Sequence, residues 1–165
     1  MIDSPPMLLD DDQAAFVCSG VSISAASCRS GGLPNMARAT GCRVSADRRG
    51  LTILLSASAS AGLIDDVRRN GAIAVVFSRP ADHRTLQFKG TDARVIPLDP
   101  QDETLAARYV DAFVGGLEPL GFSGAVIRRV LACRSDDLTA ICFTPTAGFS
   151  QTPGPDAGNA LRSGA

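Results

Sequence analysis

Two short turns, ADRRG (46–50) and RPADH (79–83), constrain this chain more than any other feature. Each lies between two segments of strand character: RVS and LTILL around the first, AIAVVFS and RTLQFKG around the second. Strands joined by so short a turn have no room for a crossover, so they must run antiparallel. LTILL is a continuous apolar run, so both of its faces are expected to be covered, and AIAVVFS reads the same way.

The remaining segments fit the same scheme. FVCSGVSISAAS, from Phe16 to Ser27, is rich in small and β-branched residues and is expected to be a strand. CRSGGLPN then turns the chain, and ATGCRVS is a second strand. In SAGLIDDVRRNG the apolar residues Leu63, Ile64 and Val67 fall at helical spacing, with Ser60 as N-cap and Gly71 as stop. The strand opened by His83 is expected to run from Arg84 to Gly90 or on to Ile96. A longer helix starts near Asp102 and Glu103, whose charges suit its N-terminus. Leu105, Tyr109, Phe113 and Leu117 give that helix an apolar face. A shorter helix at SGAVIRRVLA and a last strand at LTAICFTP follow. Residues 1–13 read as a mobile acidic arm, 14–150 as the folded domain, and 151–165 as a Gly/Pro-rich tail that is loose unless it docks. Several antiparallel strands with few helices imply a mainly β fold, a small antiparallel barrel with peripheral helices.

Composition narrows the function. A formal charge of −1, no tryptophan and one tyrosine supply neither a basic field nor stacking platforms for nucleic acid. No apolar run reaches the ~18–20 residues of a membrane span. The start, MIDSPPMLLDDDQ, is acidic where a secretory signal is basic, which favours the cytoplasm. The five cysteines are odd in number and form no CxxC. With a single histidine they make a zinc site unlikely on chemical grounds, and they read as small buried hydrophobes. No G-x-G-x-x-G follows a strand, and neither a Walker sequence nor G-x-S-x-G occurs. The acidic pairs Asp65-Asp66 and Asp136-Asp137 read as solvated.

Three stretches carry a resemblance: GGLP before the second strand, RVSADRRGLTILLSAS, and DDVRRNGAIAVVFSRPADHRTLQFKGTDARV. Their order and spacing, over roughly residues 14–145, resemble the pyridoxamine 5′-phosphate oxidase-like family of FMN-binding split barrels. The resemblance implies an antiparallel split β-barrel that pairs as a homodimer, with FMN in a groove between subunits. It implies a flavin-dependent oxidoreductase acting on a small molecule. The alternative is a non-catalytic flavin- or haem-binding carrier of the same fold. In either case the chemistry would belong to the cofactor rather than to side chains.

Carried over residue by residue, the resemblance places Arg43 and Ser45 at the FMN phosphate or ring edge. Guanidinium suits that role through its paired donors. It places Ser56, Ser58 and Ser60 in an anion cradle at a helix N-terminus. Thr85 and Gln87 would bond the isoalloxazine edge, with Lys89 on the same strand face. The chain departs from the family at one point. Where the oxidases carry an Arg-Lys pair at the start of this helix, it has Gly62 and Leu63. His83 falls in the turn, without a predictable base or metal partner, and is not expected to be the centre of chemistry. No residue is assigned a catalytic role.

Overall fold

The computed structural model describes residues 5–164. Eight strands form one sheet: β1 (Ser22–Ser27), β2 (Asn35–Val44), β3 (Leu51–Ser56), β4 (Ile73–Ser78), β5 (Thr85–Gly90), β6 (Arg94–Ile96), β7 (Leu138–Phe143) and β8 (Ala147–Ser150). Four α-helices accompany them: α1 (Asp11–Val17), α2 (Ala61–Asn70), α3 (Asp102–Leu117) and α4 (Gly124–Val130). The strand order is β6-β7-β3-β2-β1-β4-β5-β8, and every pairing is antiparallel.

That order requires a barrel. β7 and β8 are joined by residues 144–146 alone, yet β7 stands second in the sheet and β8 last. A flat sheet would set them about 29 Å apart, and the connection reaches at most about 14 Å. The sheet must curl until its two ends meet. At the seam the Thr146 N–H donates to Lys89 O over 2.9 Å. A Cβ on Gly90 would lie 2.7 Å from Thr144 O, so only glycine lets β5 approach the connection this closely.

The barrel interior is apolar. Ile23, Ile53, Leu55, Val75, Phe88, Ile141 and Phe143 have no exposed surface, and Phe77 meets Phe88 edge-on with ring centroids 6.1 Å apart. β3 is buried on both faces, Leu51 through Leu55 without exception, as its continuous apolar run implies. On that second face Leu54 lies beside Gly41, where Leu105 of α3 packs. β2 carries a register shift between Ala39 and Cys42. Within it, Gly41 gives α3 the room it needs, since a Cβ there would fall 2.7 Å from Leu105 Cδ2. β4 differs from expectation. Ile73, Val75 and Phe77 are buried while Ala74, Val76 and Ser78 are half-buried, because no helix packs on β4 as α3 packs on β2.

α2 follows its sequence pattern closely. It starts after Ser60, buries Leu63, Ile64 and Val67, and ends at Gly71, whose φ of 66° is the left-handed stop. Ser60 occupies the cap position, but its side chain makes no capping hydrogen bond.

The N-terminal segment corrects the expectation of a mobile arm through residue 13. Residues 1–4 lie outside the described residues; beyond them, Met7 and Leu9 are buried in the core. Phe16 and Val17, expected in a strand, belong to α1. The helix starts there because Asp10 and Gln13 form a reciprocal capping box. It is held down by Phe16, which lies under the guanidinium groups of Arg84 (4.3 Å) and Arg79 (5.5 Å). Asp10→Ala is expected to lower stability by about 1 kcal/mol, read from the urea midpoint.

The C-terminal tail docks on its own chain. Leu161 N–H donates to Gly148 O (2.8 Å) and Gly164 N–H to Leu8 O (2.7 Å). β8, at AGFS, and β6, set off from β5 by residues 91–93, are separate strands that no local pattern marks. Among the described residues, no helix is long and apolar enough to cross a membrane.

Candidate ligand site

The serines at the end of β3 surround a carboxylate. The register of β3 on β7 pairs Ser56 with Leu138, which brings the preceding residue, Asp137, over the β3–α2 turn. Its carboxylate accepts from Ser56 Oγ (2.5 Å), Ser58 N (2.9 Å) and Ser58 Oγ (2.8 Å). These three donors, Ser56 Oγ first, hold the Asp137 carboxyl below its usual value of 3.8. The cradle is therefore built for an anion, and the protein's own side chain fills it. The neighbouring Asp136 is held by Arg134 through Nε (2.8 Å) and Nη2 (2.6 Å). The two carboxylates, which read alike in sequence, thus have different partners.

The start of α2 explains the departure at Gly62 and Leu63. Leu63 is buried in the core. A Cβ on Gly62 would stand 2.6 Å from Asn35 Oδ1. Asn35 is itself fixed, donating through Nδ2 to the buried carboxylate of Asp66 over 2.7 Å. An arginine or lysine at either position would displace Asn35 or enter the core. With Asp137 on the serines and no cation at positions 62 and 63, these residues do not fit the phosphate dianion of FMN.

Arg43 is also committed. Its Nε donates to Asp102 Oδ1 (2.9 Å) and its Nη2 to Oδ2 (3.4 Å). Asp102, the first residue of α3, is wholly buried and also accepts from Asp99 N (2.8 Å). The guanidinium thus ties β2 to α3. Ser45 serves the β2–β3 turn, accepting from Gly50 N (2.7 Å) and donating to Asp47 Oδ1 (2.5 Å). Arg43 pairs with Thr52 in the sheet, so it stands about 13 Å along β3 from Ser56.

Thr85 and Gln87 lie elsewhere, on β5 between β4 and β8. The Thr85 hydroxyl is 2.8 Å from that of Ser78, and Gln87 Oε1 accepts from Gln151 Nε2 at 3.4 Å. Lys89 follows on the same strand, its ammonium over the Phe149 ring at 5.1 Å. His83 sits in the turn with a φ of 59°, its N–H bonded to Arg79 O. The sequence-expected site residues therefore fall into three places within one chain: Arg43 with Ser45, Ser56 with Ser58 and Ser60, and Thr85 with Gln87.

Two cavities open on the outside of the barrel. One, of about 620 Å³, lies between α3, α4 and the loop before Asp137, with Thr40, Val110, Arg128 and Leu138 in its wall. The other, of about 740 Å³, lies between α1, β2 and α3 and includes Cys18, Cys42, Arg43, Arg108 and Tyr109. Both are in the size range of small-molecule sites. The cysteines depart from expectation: only Cys42 is buried, Cys18 is exposed, and Cys28, Cys133 and Cys142 are half-buried. Nothing local marks Asp102 or Asp137 as a site residue, because each acquires its role from a partner distant along the chain.

No family profile matches the sequence, and no curated protein does. Solved structures do match in fold. The HupZ protein of Group A Streptococcus superposes with a TM-score of 0.55 at 13% identity, over 91% of this chain and 100% of that one. An F420 reductase gives 0.52 at 15% identity, over 85% and 98%. A candidate pyridoxamine 5′-phosphate oxidase from Lactobacillus delbrueckii gives 0.51 at 16%, over 86% and 93%. At these identities the likeness is one of fold, and that fold, an antiparallel barrel with peripheral helices, is the split barrel of the pyridoxamine 5′-phosphate oxidase-like proteins.

Proposed function

We propose that this protein is a split-barrel binding protein for a planar cofactor of flavin or haem type, and that it does not grip a ligand phosphate at the start of α2. The observation that carries this reading is the Asp137 carboxylate on the Ser56 and Ser58 donors. A phosphate there would have to displace a bound anion and would meet no compensating cation at Gly62 or Leu63. The shared fold supports the ligand class, and the seated carboxylate favours carrying or sensing over FMN-dependent catalysis. The proposed active form is a homodimer with the ligand groove between subunits. Exposed Leu33 and Met36 on one side, and Val126 and Val130 of α4, are apolar surface that a second copy would cover.

A flavin-dependent oxidoreductase is the second reading. It is favoured by the fold match to the F420 reductase over nearly the whole of that chain. Parallel titrations with FMN, riboflavin and haem separate the two, followed by flavin fluorescence and the Soret band. The binding-protein reading expects FMN and riboflavin affinities within about threefold of each other, or haem binding alone. FMN binding more than about a hundredfold tighter than riboflavin, a gain of ~2.7 kcal/mol from the phosphate, would overturn it and restore the flavoenzyme.

A further inference from the structure

Cys18 and Cys42 meet across the wall of the 740 Å³ cavity. Cys18 caps the C-terminus of α1, and Cys42 lies on β2 just past the register shift. α1 packs on β2, and residues 24 apart in sequence come to line one cavity. Their environments differ sharply: Cys18 is exposed and Cys42 is buried. The adjoining Cys42 side chain lowers the Cys18 thiol to about 7, with the Val44 backbone adding to the effect. The same contact, with burial, pushes Cys42 well above its usual value.

Two arginines line the same cavity. On β2, Arg43 is adjacent and is paired to the buried Asp102. On α3, Arg108 lines the cavity and makes no ion pair among the described residues. The acidic residues of α1 face other partners, Asp11 on Arg48 and Asp12 on Arg84. Tyr109 of α3 walls the same cavity. No other cysteine shares this cavity: Cys28 bonds the Gly32 carbonyl (2.9 Å), and Cys133 lines the other cavity, its thiol raised by burial and by Asp137 and Asp136.

We propose that Cys18 and Cys42 are a redox-active thiol pair, with Cys18 the attacking and Cys42 the resolving residue, oxidised to an intramolecular disulfide by a hydroperoxide that enters this cavity. The Cys18 thiolate attacks one peroxide oxygen; the O–O bond breaks, and the departing oxygen takes a proton and leaves as water or alcohol. Cys18 is then a sulfenic acid. The Cys42 sulfur attacks the Cys18 sulfur, the S–O bond breaks, and the hydroxyl leaves as a second water with the Cys42 proton. Two thiols have given two electrons to one peroxide. A dithiol reductant reverses the change by thiol–disulfide exchange. This proposal does not depend on flavin or haem binding, since neither ligand takes part in the step.

The test uses the reduced protein with one equivalent of hydrogen peroxide at pH 7. The expected product is a monomer lighter by two hydrogens, with a Cys18–Cys42 cross-linked peptide that dithiothreitol releases. Cys42→Ser is expected to stop at sulfenic acid on Cys18, trapped by dimedone, and Cys18→Ser to leave Cys42 reduced. Before oxidation, iodoacetamide is expected to label the exposed Cys18 faster than the buried Cys42. The mass measurement on the wild-type chain needs no variant to fold. The proposal is overturned if peroxide oxidises Cys28, Cys133 or Cys142 while Cys18 and Cys42 stay reduced. Joining of Cys18 to a cysteine other than Cys42 would overturn it equally.

Discussion

Arg43→Ala is expected to destabilise the protein by about 3 kcal/mol in urea unfolding, with FMN and riboflavin affinities of the folded fraction unchanged within about twofold. The reason is the burial of its partner. Asp102 has a side chain only 1% exposed, and without Arg43 its carboxylate keeps a single donor, the Asp99 N–H. A buried charge stripped of its counter-ion typically costs about 3–5 kcal/mol, and the lower end applies because Arg43 is 34% exposed. Asp102→Ala should cost less, since the freed guanidinium can turn to solvent. The double variant should be less damaged than the sum of the two by at least about 1 kcal/mol, the signature of a direct pair. A large loss of FMN affinity in Arg43→Ala, with stability unchanged, would instead return Arg43 to the phosphate role that the resemblance implies.

Asp137→Ala is expected to tighten FMN at least tenfold while leaving riboflavin within about twofold, a difference of ~1.4 kcal/mol or more assigned to the phosphate alone. The substitution removes the anion that holds Ser56 Oγ, Ser58 N and Ser58 Oγ. It leaves three donors beside the first turn of α2, where the helix dipole favours negative charge. Acid loosens the same contact in the intact protein. The Asp137 carboxyl titrates below 3.8 in the folded state. Its contribution to stability is therefore complete above that value and is lost as pH falls through the lower folded one. If FMN and riboflavin respond alike to Asp137→Ala, the serine cradle is not a phosphate seat, and any flavin site lies elsewhere in the barrel.

How much was legible in the sequence differs from element to element. α2 could be placed from Ser60 to Gly71 because its apolar spacing, cap position and left-handed stop are all local. β3 announced its double burial in five consecutive apolar residues. α1 was missed: its signals, Asp10 and Gln13, are brief, and Phe16 and Val17 look equally suited to a strand. What holds α1 in place is the pair of arginines from the β4–β5 turn. β4 was expected to be covered on both faces, but which strand a helix covers is set by where α3 lands, a matter of tertiary packing.

The site shows the same division more strongly. The structure commits Arg43 to Asp102 and Ser56 to Asp137, 59 and 81 residues away in sequence. The thiol pair is likewise absent from any motif, since Cys18 and Cys42 meet only because α1 packs on β2.

By itself the sequence determined the antiparallel character, through turns too short for crossovers. It also determined the positions of most strands and helices, and a fold resemblance carried by their order. Those are properties of neighbouring residues, and local sterics and burial period suffice to specify them. Only the tertiary structure decided which donors remain free for a ligand. A hydroxyl or guanidinium is available or spent according to what the barrel's closure and the packing of α1 and α3 bring against it, and those contacts join residues that no local pattern links.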